Sequence, residues 1–250
     1  MRKSGPRRCS SPSSDSDVTR DDWHNRGFAA DWDEAGNLVT NPDRLKQLSL
    51  LADLIAASGA TQLLDLGIGS AQVESAISRR HPGFFDRCHV TGIDASEAML
   101  ELAQQRCAAE KLHCIRLIRG DFLSIDSIEL VDSPDAVICV QVLHEVAHEV
   151  KRSVFAWVHQ RLPPGRPFYI LDRFGYPVGA WLDDWRATWN WMRSAVPEDV
   201  LEFDEYHRRY RAKADYIASV EDYRAWLEEA GFETLCPYRC FNRAIIIARA

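Results

Sequence analysis

Hydrophobic positions along the chain follow two alternating spacings. Apolar runs of strand length occur at 62–66, 90–93, 114–118, 136–140 and 168–171. Segments with apolar residues every three or four positions, as in amphipathic helices, lie between these runs at 71–80, 96–111 and 145–162. Because strands that alternate with helices form βαβ units, the pattern predicts a parallel sheet with helices on both faces.

The two ends of the chain depart from this alternation. A Ser- and Pro-rich stretch over 1–22 predicts a disordered tail, and the helical pattern over 23–60 predicts an amino-terminal cap. Near the other end, Ser219 and Asp222 have the spacing of a capping box at the start of a helix. Two strand-like runs, 233–240 and 244–248, then predict an antiparallel pair.

These elements predict an α/β fold in a single domain over 23–250. The sheet has seven mostly parallel strands and an antiparallel last strand. The domain divides into the cap (23–60), a core (61–172), a helical insert (173–218) and a closing helix with a hairpin (219–250).

The amino-acid composition limits the kinds of partner that this chain is expected to bind. The net charge is -7, so the chain as a whole lacks the basic footprint of a nucleic-acid binder, which weakens nucleic acid as a partner. No apolar run approaches the roughly 20 residues that span a bilayer, so no membrane partner is predicted. Seven scattered cysteines do not form a disulfide framework, which favours a cytoplasmic location. The oligomeric state stays open.

The sharpest local signal is an apolar strand that ends in an acid and a glycine turn. Asp65 closes the strand, Gly67 and Gly69 form a Gly-x-Gly turn, and a helix follows. Glycine lets the backbone turn tightly and lets a ligand approach where a Cβ would collide. The turn therefore predicts a ligand site at this strand end.

Three later strands end in polar or acidic residues as well. They are Asp94 with Ala95, Asp121 with Phe122, and Gln141. In an open parallel sheet the carboxyl ends of the strands line one crevice, where a carboxylate accepts hydrogen bonds from a ribose and an aromatic ring flanks a base. A nucleotide-like ligand is the interpretation that explains all four strand ends.

At these residues the chain resembles the class I S-adenosylmethionine-dependent methyltransferases, which have a Rossmann-like fold. LLDLGIGSA is similar to the family's first motif, with Ala71 in place of its third glycine, and VTGIDAS, GDF and VICVQVLHEV are similar to the later ones. The resemblance covers about 60–172 and the closing 219–250. It implies S-adenosylmethionine as cofactor and methyl transfer to a small organic acceptor as activity. The cofactor-binding residues it implies are Asp65, Gly67, Gly69, Asp94, Ala95, Asp121, Phe122 and Gln141.

Several other functions stay open at this point. The chain could be a non-catalytic adenosyl-ligand-binding protein, or a methyltransferase acting on RNA or protein. A dinucleotide oxidoreductase would need a further glycine where Gln72 stands. Residues 144–148 spell His-Glu-x-x-His, the pattern of zinc hydrolases, but they follow a buried strand directly, so no metal site is predicted.

His144 and the insert supply the candidates on the acceptor side. We expect His144 to act as a general base or to orient the acceptor, although in-line transfer from a sulfonium can proceed by positioning alone. In the insert, Trp181, Trp185 and Trp189 recur every fourth residue on one helix face. Tyr176, Trp185 and Trp189 are the predicted substrate-binding residues, as a lid joined by Trp23, His24, Phe28 and Trp32 of the cap. Packing of this aromatic face on the sheet is the alternative.

Overall fold

The computed structural model describes residues 22–35, 38–196, 200–213 and 215–250. Its strands are β1 (Gln62–Leu66), β2 (His89–Asp94), β3 (Ile115–Arg119), β4 (Ala136–Val140), β5 (Pro167–Arg173), β6 (Glu233–Cys240) and β7 (Arg243–Arg249). Its helices are α1 (Arg26–Ala35), α2 (Arg44–Ala57), α3 (Gln72–Arg80), α4 (Glu97–Glu110), α5 (His148–His159), α6 (Leu182–Ser194), α7 (Phe203–Ala212) and α8 (Val220–Glu229). The tail predicted over 1–22 lies outside the described residues except for Asp22.

All seven strands join one sheet in the order β3-β2-β1-β4-β5-β7-β6. The pairs among β1 to β5 are parallel, whereas β7 runs antiparallel to both β5 and β6. The predicted fold class is therefore confirmed, including the antiparallel last strand. The bounds of β1 and β4 coincide with the predicted runs, because both strands are flanked by sharp changes from apolar to polar residues.

Both faces of the sheet are buried, and successive residues of a strand serve opposite faces. Leu64 and Val137 pack with α5 and α8 on one face. Leu63 and Ile138, their neighbours in sequence, pack with α2 and α3 on the other face. The continuous apolar runs seen in the sequence follow from this two-sided burial.

Two helix starts show how local sequence sets element bounds. At α8 the Ser219 hydroxyl accepts a hydrogen bond from the Asp222 amide while the Asp222 side chain bonds back to Ser219, the predicted capping box. The helix predicted to begin at Glu145 instead begins at His148, because residues 143–145 form a separate 3-10 turn. An extended residue, Val146, separates the two elements.

The insert forms a small aromatic core of its own against the tip of the β6–β7 hairpin. Trp189 stacks on Tyr206 with ring centroids 4.1 Å apart, and its indole N–H donates to the Leu201 carbonyl at 2.8 Å. Phe241, at the hairpin tip, packs on both rings. Trp189 is only 1% exposed, so this part of the aromatic stripe is packed inside the protein.

Replacing Trp189 by Ala should lower the free energy of unfolding by about 3–5 kcal/mol, because a stacked, hydrogen-bonded ring leaves a large void. Trp191 lies on the same helix with 63% of its surface exposed, so Trp191→Ala is the matched control and should change stability by at most about 0.5 kcal/mol. Urea denaturation followed by circular dichroism measures both. Equal effects of the two variants would contradict the packing described here.

Candidate functional site

A cavity of about 410 Å³ opens at the carboxyl ends of β1 to β4. Its wall combines the glycine turn after β1, the ends of β2, β3 and β4, and the amino-terminal cap. The lining residues are Trp23, His24, Trp32, Arg44, Gly67, Ile68, Gly69, Ser70, Gln72, Val73, Asp94, Ala95, Ser96, Met99, Gly120, Asp121, Phe122, Val140, Gln141, Val142, Glu145 and Val146. Seven of the eight residues that the sequence assigned to cofactor binding are among them: Gly67, Gly69, Asp94, Ala95, Asp121, Phe122 and Gln141.

Asp94 is held rigidly in the cavity wall by two backbone amides. One carboxylate oxygen accepts from the Gly69 amide at 2.9 Å, and the other accepts from the Ser96 amide at 2.8 Å. Burial raises the pKa of Asp94, and the two amide donors oppose that rise by stabilising the carboxylate. Each oxygen keeps a lone pair for a further donor, which is what a pair of adjacent hydroxyls would require.

The turn after β1 requires glycine for two different reasons. Gly67 has a positive φ of 80°, and a Cβ there would lie 2.3 Å from the Val142 side chain. Gly69 has a φ of 55° and open space where a Cβ would project. Gly67 therefore lets β1 and the end of β4 approach closely, while Gly69 leaves room in the cavity.

Asp121 and Phe122 form the far wall beyond β3. The Asp121 carboxylate caps a 3-10 turn by accepting from the Leu123 amide at 2.9 Å. Phe122 is buried and contributes to the core while its ring lines the cavity. The arrangement offers an apolar surface beside a fixed carboxylate.

Asp65 lies behind the glycine turn and does not line the cavity. It is buried beside Glu74 of α3, and no hydrogen-bond donor among the described residues reaches the oxygens of either carboxyl. Burial and the negative charge of Glu74 raise the pKa of Asp65 well above its ordinary value. The raised pKa favours the neutral, protonated form of Asp65, which lies behind the turn.

The cap closes one side of the cavity through polar contacts. The Trp23 indole N–H donates to Glu145 at 2.5 Å, and the Ser96 hydroxyl donates to the Trp23 carbonyl at 2.5 Å. Asp33 accepts from the Ser70 hydroxyl at 2.5 Å, and its two carboxylate oxygens accept from one terminal nitrogen of Arg106 at 2.8 and 2.9 Å. Trp23, His24 and Trp32 line the cavity as predicted, whereas Phe28 packs against Trp23 instead.

Arg44 is a wall residue that the sequence interpretation missed. Its guanidinium donates to the Gln141 side chain at 3.0 Å and to the Gln72 side chain at 2.8 Å. The sequence contained an indication that Arg44 is buried. Position 44 falls on the same helix face as Leu48, Leu51 and Ile55, which are buried. A charged residue on the buried face of an otherwise apolar stripe is rare unless its charge is paired, so this position is distinctive in the sequence.

His144 sits at the end of β4 in a buried hydrogen-bond network. Its Nδ1 lies 2.5 Å from Asp172 of β5, which also accepts from the Tyr223 hydroxyl at 2.8 Å and from the Arg173 amide at 2.8 Å. Because the carboxylate only accepts, Nδ1 carries the proton and Nε2 is the basic nitrogen. Nε2 is 3.7 Å from the Glu145 carboxylate, and Glu145 lines the cavity whereas His144 does not.

The pattern His144-Glu145-x-x-His148 does not form the helix face of a zinc hydrolase. His148 is the first residue of α5, while His144 belongs to the preceding 3-10 turn. Among the residues that the structure describes, no cluster of three or more His, Cys, Asp or Glu is placed to hold a metal ion. None of the described helices has the length and apolar content to cross a bilayer.

The three predicted substrate residues of the insert do not line the cavity. Trp189 is in the insert core, and Tyr176 and Trp185 pack at its edge beside Phe241. The Tyr176 hydroxyl pairs with His207 at 2.7 Å, and the Trp185 indole donates to the Pro177 carbonyl at 2.7 Å. Its spacing alone allowed the stripe to face either the sheet or a ligand. The structure places Trp185 and Trp189 against the hairpin tip, whereas Trp181 is 58% exposed.

Residues 63–165 match the family model for a methyltransferase domain. The curated relatives include the carboxy-S-adenosyl-L-methionine synthase of Shigella boydii serotype 4, which is 25% identical over 211 residues, covering 82% of this chain and 80% of that protein. The same enzyme of Escherichia coli O17:K52:H18 matches with the same identity and coverage.

Solved structures with the same fold include methyltransferases of several kinds. An O-methyltransferase family protein from Burkholderia thailandensis has a TM-score of 0.63 at 14% identity, covering 90% of this chain and 59% of that one. Magnesium protoporphyrin IX methyltransferase from Synechocystis PCC 6803 with bound SAH has a TM-score of 0.62 at 16% identity, covering 92% of this chain and 98% of that one. The chain thus spans about three fifths of the length of the Burkholderia protein. At this low sequence identity the similarity concerns the fold alone.

The pH dependence of stability should carry a contribution from His144. Burial and the charge of Arg173 lower its pKa to about 4, below the ordinary value of 6.5. Between pH 4 and pH 6.5 the unfolded chain binds a proton at His144 that the folded chain does not bind. The neutral imidazole therefore makes its full contribution to the free energy of unfolding above pH 6.5, and this contribution is lost as the pH falls towards 4.

We therefore expect the free energy of unfolding to rise less steeply from pH 4.5 to 6.5 in His144→Asn than in the original chain. Asn can still donate to Asp172 but does not titrate, and carboxyls such as Glu74 titrate equally in both proteins. Urea denaturation at several pH values measures the difference. A steeper slope in the variant would contradict the neutral, buried imidazole.

Proposed function

We propose that this chain, a member of the class I S-adenosylmethionine-dependent methyltransferases, transfers the methyl group of its cofactor to a small organic acceptor by in-line displacement. The observation that carries the proposal is the wall of the cavity, where Asp94 is fixed by the Gly69 and Ser96 amides beside Phe122. A rigid carboxylate next to an aromatic ring and a glycine turn suits an adenosine group and a flexible amino-acid tail.

S-adenosylmethionine supplies a methyl group bonded to a positively charged sulfur, which makes it a strong electrophile. In the proposed complex Asp94 accepts hydrogen bonds from the ribose, and Ala95 and Phe122 flank the adenine with Asp121 nearby. Gly69 would leave space for the methionine portion, Gly67 would border that portion at the base of the crevice, and Gln141 at the end of β4 would lie beside the reacting centre. Asp65 acts on this site through the turn it supports.

The acceptor side of the proposal rests on the cap and the end of β4. Trp23 and Trp32 supply the aromatic surface that the insert was predicted to supply, since both line the cavity. Aromatic rings give large contact area with few rotors to fix, which favours an enclosed organic acceptor. We retain Tyr176, Trp185 and Trp189 as residues that act on the acceptor indirectly, by fixing the insert against the tip of the β6–β7 hairpin.

His144 is the proposed general base, acting at Nε2. Asp172 holds Nδ1–H and thereby fixes the tautomer and the orientation of the ring. Because the imidazole is neutral at physiological pH, Nε2 can take up a proton, directly or through the Glu145 carboxylate 3.7 Å away. When bound, the cofactor would supply the methyl carbon that the acceptor atom attacks, and the electron pair of the broken carbon–sulfur bond would remain on sulfur.

The curated relatives carry the name of a carboxy-S-adenosyl-L-methionine synthase, which concerns a modified form of the same cofactor. Incubation of the protein with isotopically labelled S-adenosylmethionine and fractionated small metabolites, followed by mass spectrometry, identifies both the acceptor and the group transferred. Labelled methyl on a small molecule supports the proposal. Another function would replace the proposed one if the label appears on RNA or protein, if the product carries a carboxymethyl group, or if the protein binds the cofactor without transfer to any fraction.

Replacing Asp94 by Ala should weaken the binding of S-adenosylmethionine by about 2 kcal/mol, the value of two charge-assisted hydrogen bonds. Isothermal titration calorimetry measures the affinity. Asp126→Ala, an exposed carboxylate beyond β3, is the matched control and should bind as the original chain does. If Asp94→Ala retains full affinity, the carboxylate does not contact the cofactor.

Replacing His144 by Ala should lower turnover about 10²-fold or more while cofactor affinity stays unchanged, as expected for loss of a general base. The assay uses the acceptor found in the labelling experiment, and calorimetry gives the affinity. A turnover within a few-fold of the original would mean that positioning alone drives the transfer. Loss of both turnover and cofactor affinity would mean that His144 shapes the cavity rather than moving a proton.

A further inference from the structure

The carboxylate of Asp172 is held by three donors from different elements of the fold. Its Oδ1 accepts from His144 Nδ1 at 2.5 Å and from the Arg173 amide at 2.8 Å. Its Oδ2 accepts from the Tyr223 hydroxyl at 2.8 Å. Because the two oxygens have different partners, the carboxylate cannot turn about its Cβ–Cγ bond without breaking at least one of these hydrogen bonds.

Tyr223 lies in the first turn of α8 and is completely buried. Its ring packs edge-on against Phe174 and Phe155, with centroid distances of 4.9 and 5.8 Å. The Lys151 ammonium lies 5.6 Å from the centroid of the same ring. These neighbours leave the ring little room to move, so its hydroxyl reaches Asp172 from a fixed position.

The hydroxyl of Tyr223 contributes to the charge of Asp172 as well as to its position. Burial alone would raise the pKa of Asp172, but His144 and the hydrogen bonds from the Arg173 amide and the Tyr223 hydroxyl lower that pKa below its ordinary value. A phenylalanine would fill the same space as Tyr223. The contribution that only the tyrosine makes is therefore the hydrogen bond that stabilises the buried carboxylate.

Charged groups of several elements act on His144. Glu145 lies 3.7 Å from its Nε2, Asp172 and Arg173 belong to β5, and Arg243 of β7 also acts on its pKa. Burial and the charge of Arg173 favour the neutral imidazole, whereas Asp172 attracts a second proton to it. The strength of that attraction depends on the other hydrogen bonds that the Asp172 carboxylate accepts.

We propose that Tyr223 is a positioning residue for His144 and acts through Asp172. Its bond to Oδ2 leaves Oδ1 directed at Nδ1–H, which keeps Nε2 as the basic nitrogen of the ring. It also stabilises the negative charge of the carboxylate, so that Asp172 orients the imidazole without holding a second proton on it. The proposal rests on the proposed function for the role of His144 as general base, whereas the arrangement of the three side chains is testable without turnover.

NMR spectroscopy of the full chain with ¹⁵N-labelled histidine tests this arrangement. Long-range ¹H–¹⁵N spectra recorded between about pH 4 and pH 8 report the tautomer and the pKa of each imidazole, and the signals of His144 are those lost in His144→Asn. In the original chain we expect a neutral ring with its proton on Nδ1 over most of this range. Burial and the charge of Arg173 lower the pKa of His144 to about 4.

The variant Tyr223→Phe keeps the packed ring and removes only the donor. Without the hydroxyl, the Asp172 carboxylate holds the imidazole proton more strongly, so the pKa of His144 should rise by roughly 0.5 to 1 unit. The acid limb of the pH profile of kcat should move by the same amount. In the assay with the acceptor found by labelling, kcat should fall roughly 3- to 10-fold because the ring is held less firmly, while KM stays within about twofold.

Tyr169→Phe is the matched control. Tyr169 is 2% exposed, and its hydroxyl also donates one hydrogen bond, to the Leu54 carbonyl at 3.0 Å. It packs on the opposite face of the sheet from Tyr223. The control should lose a comparable amount of thermal stability, and it should leave kcat and the tautomer and pKa of His144 unchanged.

A double variant tests whether Tyr223 acts through Asp172. Asp172→Asn keeps the shape of the side chain but carries no charge, so the addition of Tyr223→Phe to it should leave the pKa of His144 unchanged. An equal shift in both backgrounds would overturn the proposed route. If Asp172→Asn does not fold, the comparison of Tyr223→Phe with Tyr169→Phe decides by itself.

The proposal is overturned if Tyr223→Phe leaves the tautomer and the pKa of His144 as they are in Tyr169→Phe. It is also overturned if His144→Ala lowers turnover but Tyr223→Phe lowers kcat no further than the control does. Failure of the proposed function has a different signature, in which no acceptor is methylated or His144→Ala keeps full turnover. The NMR spectra then decide alone whether Tyr223 fixes the ring of His144.

Discussion

The reversal of strand order between β1 and β4 is the constraint on which the site depends. From β1 the chain builds outward through β2 to β3, and it then returns to the other side of β1 with β4. The connecting helices leave in opposite directions at this point, so the strand ends are not covered and a crevice remains. Gly67 keeps the crevice narrow at its base, because the absence of a Cβ lets Val142 lie directly against the turn.

The sheet and the strand-end residues could be predicted because they follow from local periodicity. Two-sided burial imposes continuous apolar runs, and β1 and β4 were delimited correctly for this reason. Asp94 and Gln141 were placed correctly at the cavity because parallel strands bring their carboxyl ends to one edge. Each of these inferences needs only the residues of one element and the direction of the chain.

Contacts between distant segments were less accessible to sequence interpretation. Trp189 and its neighbours have helical spacing, but spacing does not say which surface a helix face meets, and Phe241 lies far along the chain. Arg44 was missed because a single charge at a helix start is ordinarily solvated. The helix predicted from Glu145 begins at His148, because the backbone after β4 first turns to bring His144 to Asp172.

The first part of the cap, residues 23–35, contributes to the cavity wall but little to the buried core, whereas α2 packs against the sheet. This first part is held by a small apolar cluster of Ala29 with Ala98 and Met99 of α4 and by a few polar contacts, of which the Trp23–Glu145 bond joins residues 122 positions apart. Such a segment opens locally at a lower free energy than the strands separate. Ligand recognition is therefore more fragile than the fold: warming or mild denaturant dismantles one wall of the cavity while the seven strands remain paired.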